Sequence, residues 1–149
     1  MGKALILFGS TTGNTEDMAG TVQKALEDAG LQTVLKNVME ATVNDLAADN
    51  DLIVLGCPAY GDDSIELQED FEEFYTQMDT VQLDGKPFAV FAPGDSSYEH
   101  FCGSVDKLEE KMIELGGKLV QDGLKIDGDP ADYQNEIVEW AQSIAGELA

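Results

Sequence analysis

Residues 3–15, Lys3-Ala4-Leu5-Ile6-Leu7-Phe8-Gly9-Ser10-Thr11-Thr12-Gly13-Asn14-Thr15, run from an unbroken apolar stretch into a turn of glycines and hydroxyls. Six residues without a polar alternation read as a strand buried on both faces. The next segment reads as a helix: Met18, Val22, Ala25, Leu26 and Ala29 recur at helical spacing over 14–29, and Gly30 stops the run. A buried strand feeding a helix through a short glycine-rich turn is the opening of a β/α unit.

The same unit recurs down the chain. Residues 32–36 read as a second strand and 42–48 as a short helix. Residues 51–55 (DLIVL) form a third strand ending at Gly56, and Leu67, Phe71, Phe74, Tyr75 and Met78 mark the next helix face. Residues 87–92 (PFAVFA) form a fourth strand, with its proline at the first position, where a missing N–H matters least. Phe101, Val105, Leu108, Met112 and Leu115 stripe a helix closed by Gly116-Gly117; residues 118–126 hold a last, broken strand. Tyr133, Ile137, Trp140, Ala141, Ile144 and Leu148 stripe the final helix, and these stripes, Trp140 included, are core positions. Five β/α units predict an α/β fold with a doubly wound five-stranded parallel sheet and helices on both faces. Such a sheet takes its ligand outside the carboxyl ends of its strands, where the strand order reverses. That directs attention to the loops after strands one, three and four.

Length and charge narrow the function. The 149 residues suit one domain, 1–149, large enough to bury roughly 68–70% of its extended-chain surface without disulfides or a metal. Eight basic residues against thirty acidic ones leave a net charge of −22, which repels nucleic acid and anionic lipid and attracts basic protein surfaces. Regular apolar periodicity argues against disorder as the source of that charge. Cys57 and Cys102 have no spacing of a zinc site or redox dithiol; they could form one disulfide, but two free thiols are the expectation. The apolar run at the N-terminus is too short for a signal segment or membrane span, so a cytoplasmic, monomeric protein is expected.

Each of the three loops carries a chemical suggestion. Residues 9–15 place side-chain donors and two glycines at a helix N-terminus, a ready anion site. The loop holds no lysine and so is not the triphosphate-binding pattern, nor is it a dinucleotide G-x-G-x-x-G. Hydroxyls and backbone N–H groups suit a terminal monophosphate, although a turn that merely caps the helix would look the same. Residues 56–63 (GCPAYGDD) put Tyr60 at the expected tip of an exposed loop, beside the permissive Gly61. The tyrosine could stack on a planar ligand or tuck back onto the sheet edge. Residues 92–102 (APGDSSYEHFC) offer Tyr98 as a second aromatic and Gly94 for close backbone approach. Two aromatics from adjacent loops can sandwich a flat ring whose phosphate tail reaches the first loop. His100 has no second ligand near it in sequence and reads as a solvated surface histidine.

The stretches GSTTGNT, GCPAYGDDSIELQEDF and GDSSYEHFCGSVD, followed by QDGLKIDGDP, together resemble the short-chain flavodoxins, most nearly those of sulfate-reducing bacteria. The resemblance runs the whole length of the chain, and the family is itself an example of the switch-point rule. It implies strand order 2-1-3-4-5, one bound FMN, and a low-potential one-electron carrier rather than an enzyme, shuttling between basic reductases and cytochromes. Residue by residue it implies that Ser10, Thr11, Thr12, Gly13, Asn14 and Thr15 bind the phosphate, and that Tyr60 and Tyr98 flank the isoalloxazine. The Gly61 carbonyl and Asp62 would face flavin N5, while Gly94, Asp95 and Cys102 reach the pyrimidine edge. Pro58, Ala59, Pro93 and Phe101 complete the cofactor-binding set, which includes no catalytic residue and no metal ligand. Relatives usually carry Trp where Tyr60 stands, and hydroxyl residues in place of Pro58-Ala59. Stacking should therefore be weaker here, with side-chain contacts to the phosphate or ribityl chain lost.

Two rivals share the topology. An FMN-dependent NAD(P)H reductase would want an Arg or Lys cluster for the nicotinamide phosphate and an extra substrate loop. A phospho-accepting receiver domain would need an acidic pair after strand one and an aspartate after strand three. Those places hold Gly9-Ser10 and Gly56-Cys57.

Overall fold

The computed structural model describes residues 2–9, 14–47, 50–57, 59–60, 66–67, 69–94, 103–127 and 130–148. In chain order the elements are β1 (Lys3–Phe8), α1 (Asn14–Asp28), β2 (Gln32–Asn37), α2 (Asn44–Ala47) and β3 (Leu52–Gly56). Then come β4 (Ala59–Tyr60), β5 (Glu66–Leu67), α3 (Glu69–Gln77), β6 (Pro87–Gly94) and α4 (Gly103–Glu114). The chain closes with β7 (Lys118–Leu119), β8 (Leu124–Asp127) and α5 (Gln134–Leu148). Single 3-10 turns at Val38–Glu40, Met78–Thr80 and Pro130–Tyr133 trim the element ends.

The main sheet is parallel, ordered β2-β1-β3-β6, with β7 and β8 sharing the place beyond β6. β7 pairs with Pro87 and Phe88, and β8 pairs with residues 91–94, so the two are halves of one interrupted strand. Counted that way the order is the expected 2-1-3-4-5.

Alternation along each strand divides the core in two. Leu5 and Leu7 of β1, Ile53 and Leu55 of β3, and Phe88 and Val90 of β6 face Phe74, Met78, Val105, Leu108 and Met112, from α3, α4 and the turn between them and β6. Ala4, Ile6 and Phe8, with Leu52, Val54, Ala89 and Phe91, face Met18, Val22 and Leu26 of α1 and Ile137, Trp140 and Ile144 of α5. Both faces are covered, which is why the central strands carry no polar alternation; β2, at the edge, is partly exposed. Burying each large apolar side chain contributes about 1.5–3 kcal/mol.

Helix ends follow local chemistry. After α1, Gly30 adopts φ 98° while Leu31 N–H donates to the Leu26 carbonyl at 3.1 Å; after α4, Gly116 adopts φ 94° while Gly117 N–H donates to Met112 at 2.9 Å. Both are Schellman closures, and the left-handed residue is glycine in each. Trp140 is core as expected, edge-on to Phe91 with ring centroids 6.0 Å apart, its indole N–H donating to the Asp122 carbonyl at 2.8 Å. One assignment changes. Leu67, read as part of a helix face, lies in β5 opposite Ala59, and α3 begins two residues later.

Candidate functional site

Because the strands are parallel, their carboxyl ends share one edge. β1 ends at Phe8, level with Gly56 of β3, which is level in turn with Phe91 of β6. Two backbone bonds tie the chain as it leaves that edge: Gly9 N–H donates to the Gly56 carbonyl at 3.0 Å, and Cys57 N–H to the Phe91 carbonyl at 3.3 Å. Gly56 is required there by packing, since a Cβ would sit on the Phe91 ring. From β1 the chain turns outward to β2, and from β2 it crosses back over β1 to β3. The strand order reverses between β1 and β3, the place where open α/β sheets take a ligand in a crevice.

Onto this crevice α1 directs its N-terminus. Its first turn leaves backbone N–H groups without intrahelical partners, carries Asn14, and buries the Thr15 side chain to 1% exposure. The β6 end brings Pro93 and Gly94 to the same edge, opposite Ile126 and Asp127 of β8. On the third side Ala59 and Tyr60 form β4, paired antiparallel with Leu67 and Glu66. This corrects the expectation of Tyr60 at a free loop tip: its backbone is part of a two-stranded ribbon. Two residues per strand are too few to give a periodic signal, so the sequence carried no trace of it.

Among the sequence-predicted residues, Asn14, Thr15, Ala59, Tyr60, Pro93 and Gly94 thus gather along one edge. Ser10, Thr11, Thr12, Gly13, Pro58, Gly61, Asp62, Asp95, Tyr98, Phe101 and Cys102 lie outside the described residues, as does His100. Cys57 is buried in the core beneath α3 and α4.

From Cys57 to Glu73 the chain carries Asp62, Asp63, Glu66, Glu69, Asp70, Glu72 and Glu73 and no lysine. Lys3, Lys86 and Lys118 stand at the amino ends of β1, β6 and β7, the opposite edge. Two lysines on strands that run toward the site, Lys36 and Lys125, are held by Asp45 at 3.6 Å and Asp106 at 3.0 Å. Among the described residues no helix is long and apolar enough to cross a membrane.

Comparison with known proteins agrees with the fold. A family model described as Flavodoxin matches residues 6–140. The flavodoxin of Maridesulfovibrio salexigens is 45% identical over 148 residues, 99% of this chain and 100% of its own length. That of Nitratidesulfovibrio vulgaris is 39% identical over the same span. In three dimensions the chain is similar to the crystal structure of oxidised flavodoxin 1 from Bacillus cereus, with TM-score 0.91, 32% identity and 99% of both chains covered. With sequence and strand order in accord from end to end, the chain belongs to the flavodoxin family of FMN-binding electron carriers.

Proposed function

We propose that residues 1–149 act as one FMN-binding domain, a low-potential one-electron carrier whose cofactor lies in the crevice between β1 and β3. The observation that carries this reading is the buried Thr15 at the N-terminus of α1, beside the tied ends of β1 and β3. Backbone N–H groups and hydroxyls of residues 10–15 hold the phosphate, and the helix dipole favours its charge without a lysine. Tyr60 and Tyr98 flank the ring, Gly61 and Asp62 border its N5 side, and Gly94, Asp95 and Cys102 its pyrimidine side. Pro58, Ala59, Pro93 and Phe101 line the remainder. The bound FMN supplies the redox chemistry; the chain positions it, covers it and sets the surrounding charge.

That charge favours a low potential. Six carboxylates about 10 Å away in a water-like dielectric each oppose an added electron by roughly 0.4 kcal/mol. Together they lower a one-electron potential by on the order of 100 mV. Partners of the carrier are basic reductases and cytochromes, and a chain of net charge −22 stays monomeric in the cytoplasm through self-repulsion. With no cationic cluster for a nicotinamide phosphate, the protein alone turns over no NAD(P)H.

Calorimetry on the apoprotein tests the site. FMN should bind far more tightly than riboflavin, and Thr12→Ala or Thr15→Ala should each weaken FMN binding by about 1–3 kcal/mol, the worth of a hydrogen bond to a charged group. Equal affinity for the two flavins would remove the 10–15 loop from the site.

A further inference from the structure

Met39 is 71% exposed, although Met18, Met78 and Met112 are completely buried. Its exposure is built into the backbone. Val38–Glu40 is a single 3-10 turn directly after β2, and the Asn37 side chain accepts the Met39 N–H at 2.9 Å. Ala41 N–H closes the turn on the Val38 carbonyl at 3.3 Å, while the Val38 side chain is buried in the core beneath α3. The methionine is thus presented on a braced support, with little backbone entropy left to lose when something covers it. Beside it lies a groove of about 230 Å³ lined by Val38, Ala41, Glu73, Phe74 and Gln77.

The groove shares an edge with the cofactor crevice. Asn37, just before the turn, stands level with Phe8 at the end of β1, and α3 follows the ribbon that carries Tyr60. The surrounding charge selects the occupant. Glu40 and Glu73 are exposed, α3 carries Glu69, Asp70 and Glu72 with no basic residue, and Lys36 is held by Asp45. A second copy would bring the same net charge of −22 against this rim, and nucleic acid or anionic lipid would be repelled likewise. A cationic protein would not.

We infer that Met39, at the rim of this groove, is the apolar anchor for a basic redox partner, which seats one apolar side chain beside Met39 and aims flanking Lys or Arg at Glu40 and Glu73. The inference rests on the carrier reading above and deepens it. Charge steers the encounter only within the screening length, ~10 Å at 0.1 M salt, and does not fix the angle of approach. An apolar contact beside the crevice does fix it. A flexible, polarisable thioether can also fit partners of different shape, which suits a carrier with both a donor and an acceptor.

The test uses holoprotein labelled with methyl-¹³C methionine, titrated with a lysine-rich c-type cytochrome. The Met39 methyl signal should shift or broaden while those of Met18, Met78 and Met112 stay. In stopped flow at about 0.5 M salt, where charge steering is screened, Met39→Ala should slow electron transfer to the cytochrome about three- to tenfold. Its FMN content and its reduction of a small neutral quinone should not change. An unchanged cytochrome rate overturns the anchor and leaves the carrier reading standing. A Met39 signal that responds to protein concentration alone makes a second copy the occupant and overturns the inference. Wild-type holoprotein that passes no electrons to cytochrome or quinone overturns the carrier reading, and the anchor with it.

Discussion

Glu109 has a carboxylate oxygen, Oε2, sealed from solvent and without a hydrogen-bond partner among the described residues. It lies on α4 against Gly123, at the interruption between β7 and β8. Burial raises its pKa above the ordinary carboxylate value; Asp106 and Asp122 push the same way, and the nearby Gly123 N–H and Lys125 oppose them. A raised folded-state pKa means that the folded protein binds the extra proton, so this group's stabilisation is lost as pH rises through its raised pKa. Glu109→Gln should therefore stabilise the protein at pH 7 by about 1 kcal/mol, the order of an unsatisfied buried polar atom. The gain should vanish as pH falls into the carboxylate range, as thermal melts across that window would reveal; a gain that persists there would assign the effect elsewhere. At Gly56 the constraint is steric. A Cβ would meet the Phe91 ring, itself edge-on to Trp140, so Gly56→Ala should cost about 1–3 kcal/mol. The urea midpoint should fall at constant m-value, and FMN affinity should fall with it, because the Gly56 carbonyl is what ties Gly9 to the edge.

At the scale of elements, two glycine positions separate backbone need from mere tolerance. Gly116 closes α4 at φ 94°, so Gly116→Ala should destabilise by about 1–2 kcal/mol although a Cβ there would meet only the Asp84 N at an ordinary 3.5 Å. Gly20 sits inside α1 with nothing within 4 Å of where a methyl would stand, so Gly20→Ala should stabilise by about 0.5–1 kcal/mol. Urea denaturation of the two variants reads opposite signs, and equal signs would mean that helix propensity, not φ, governs both. The last strand shows how elements cooperate across a gap. β7 and β8 take opposite ends of β6, and the 120–123 segment between them is held on one side by Glu109 at Gly123 and on the other by Trp140 at Asp122. The interruption costs no order at the site, because β8 still delivers Asp127 beside Gly94.

At the scale of the whole molecule, what matters is where the charge lies. Helices α1 and α5 run back against the strands, so Glu27 and Glu147, near their C-termini, lie at the edge opposite the cofactor crevice, with Gly2, Asn50 and Pro87. Glu66 lies beside Tyr60, and Asp62 follows Tyr60 closely in sequence. Charge reversal at Asp62 or Glu66 should slow electron transfer to a basic cytochrome mainly through the association rate, and the effect should fade as salt rises. Reversal at Glu27 or Glu147 makes the same change in net charge and should do much less. Stopped-flow rates that fall equally for both pairs would make net charge, rather than a docking face, the determinant.

By itself the sequence determined the α/β class, the five units and the core stripes, and it directed attention to the loop after β1. Each of these rests on local periodicity or on residue chemistry within a few positions, such as the apolar run of 3–8 against the hydroxyls of 10–15. The proposed phosphate side of the site was legible because it draws on one loop and one helix N-terminus, adjacent in sequence. Tertiary structure alone decided that Tyr60 lies in a ribbon with Glu66, that Gly56 must clear the Phe91 ring, and that Met39 stays outside while Val38 goes in. It also decided that Glu109 and Trp140 grip the broken strand from two sides. Those outcomes depend on which surfaces meet across the sheet, and contacts between residues far apart in sequence leave no periodic mark on either segment.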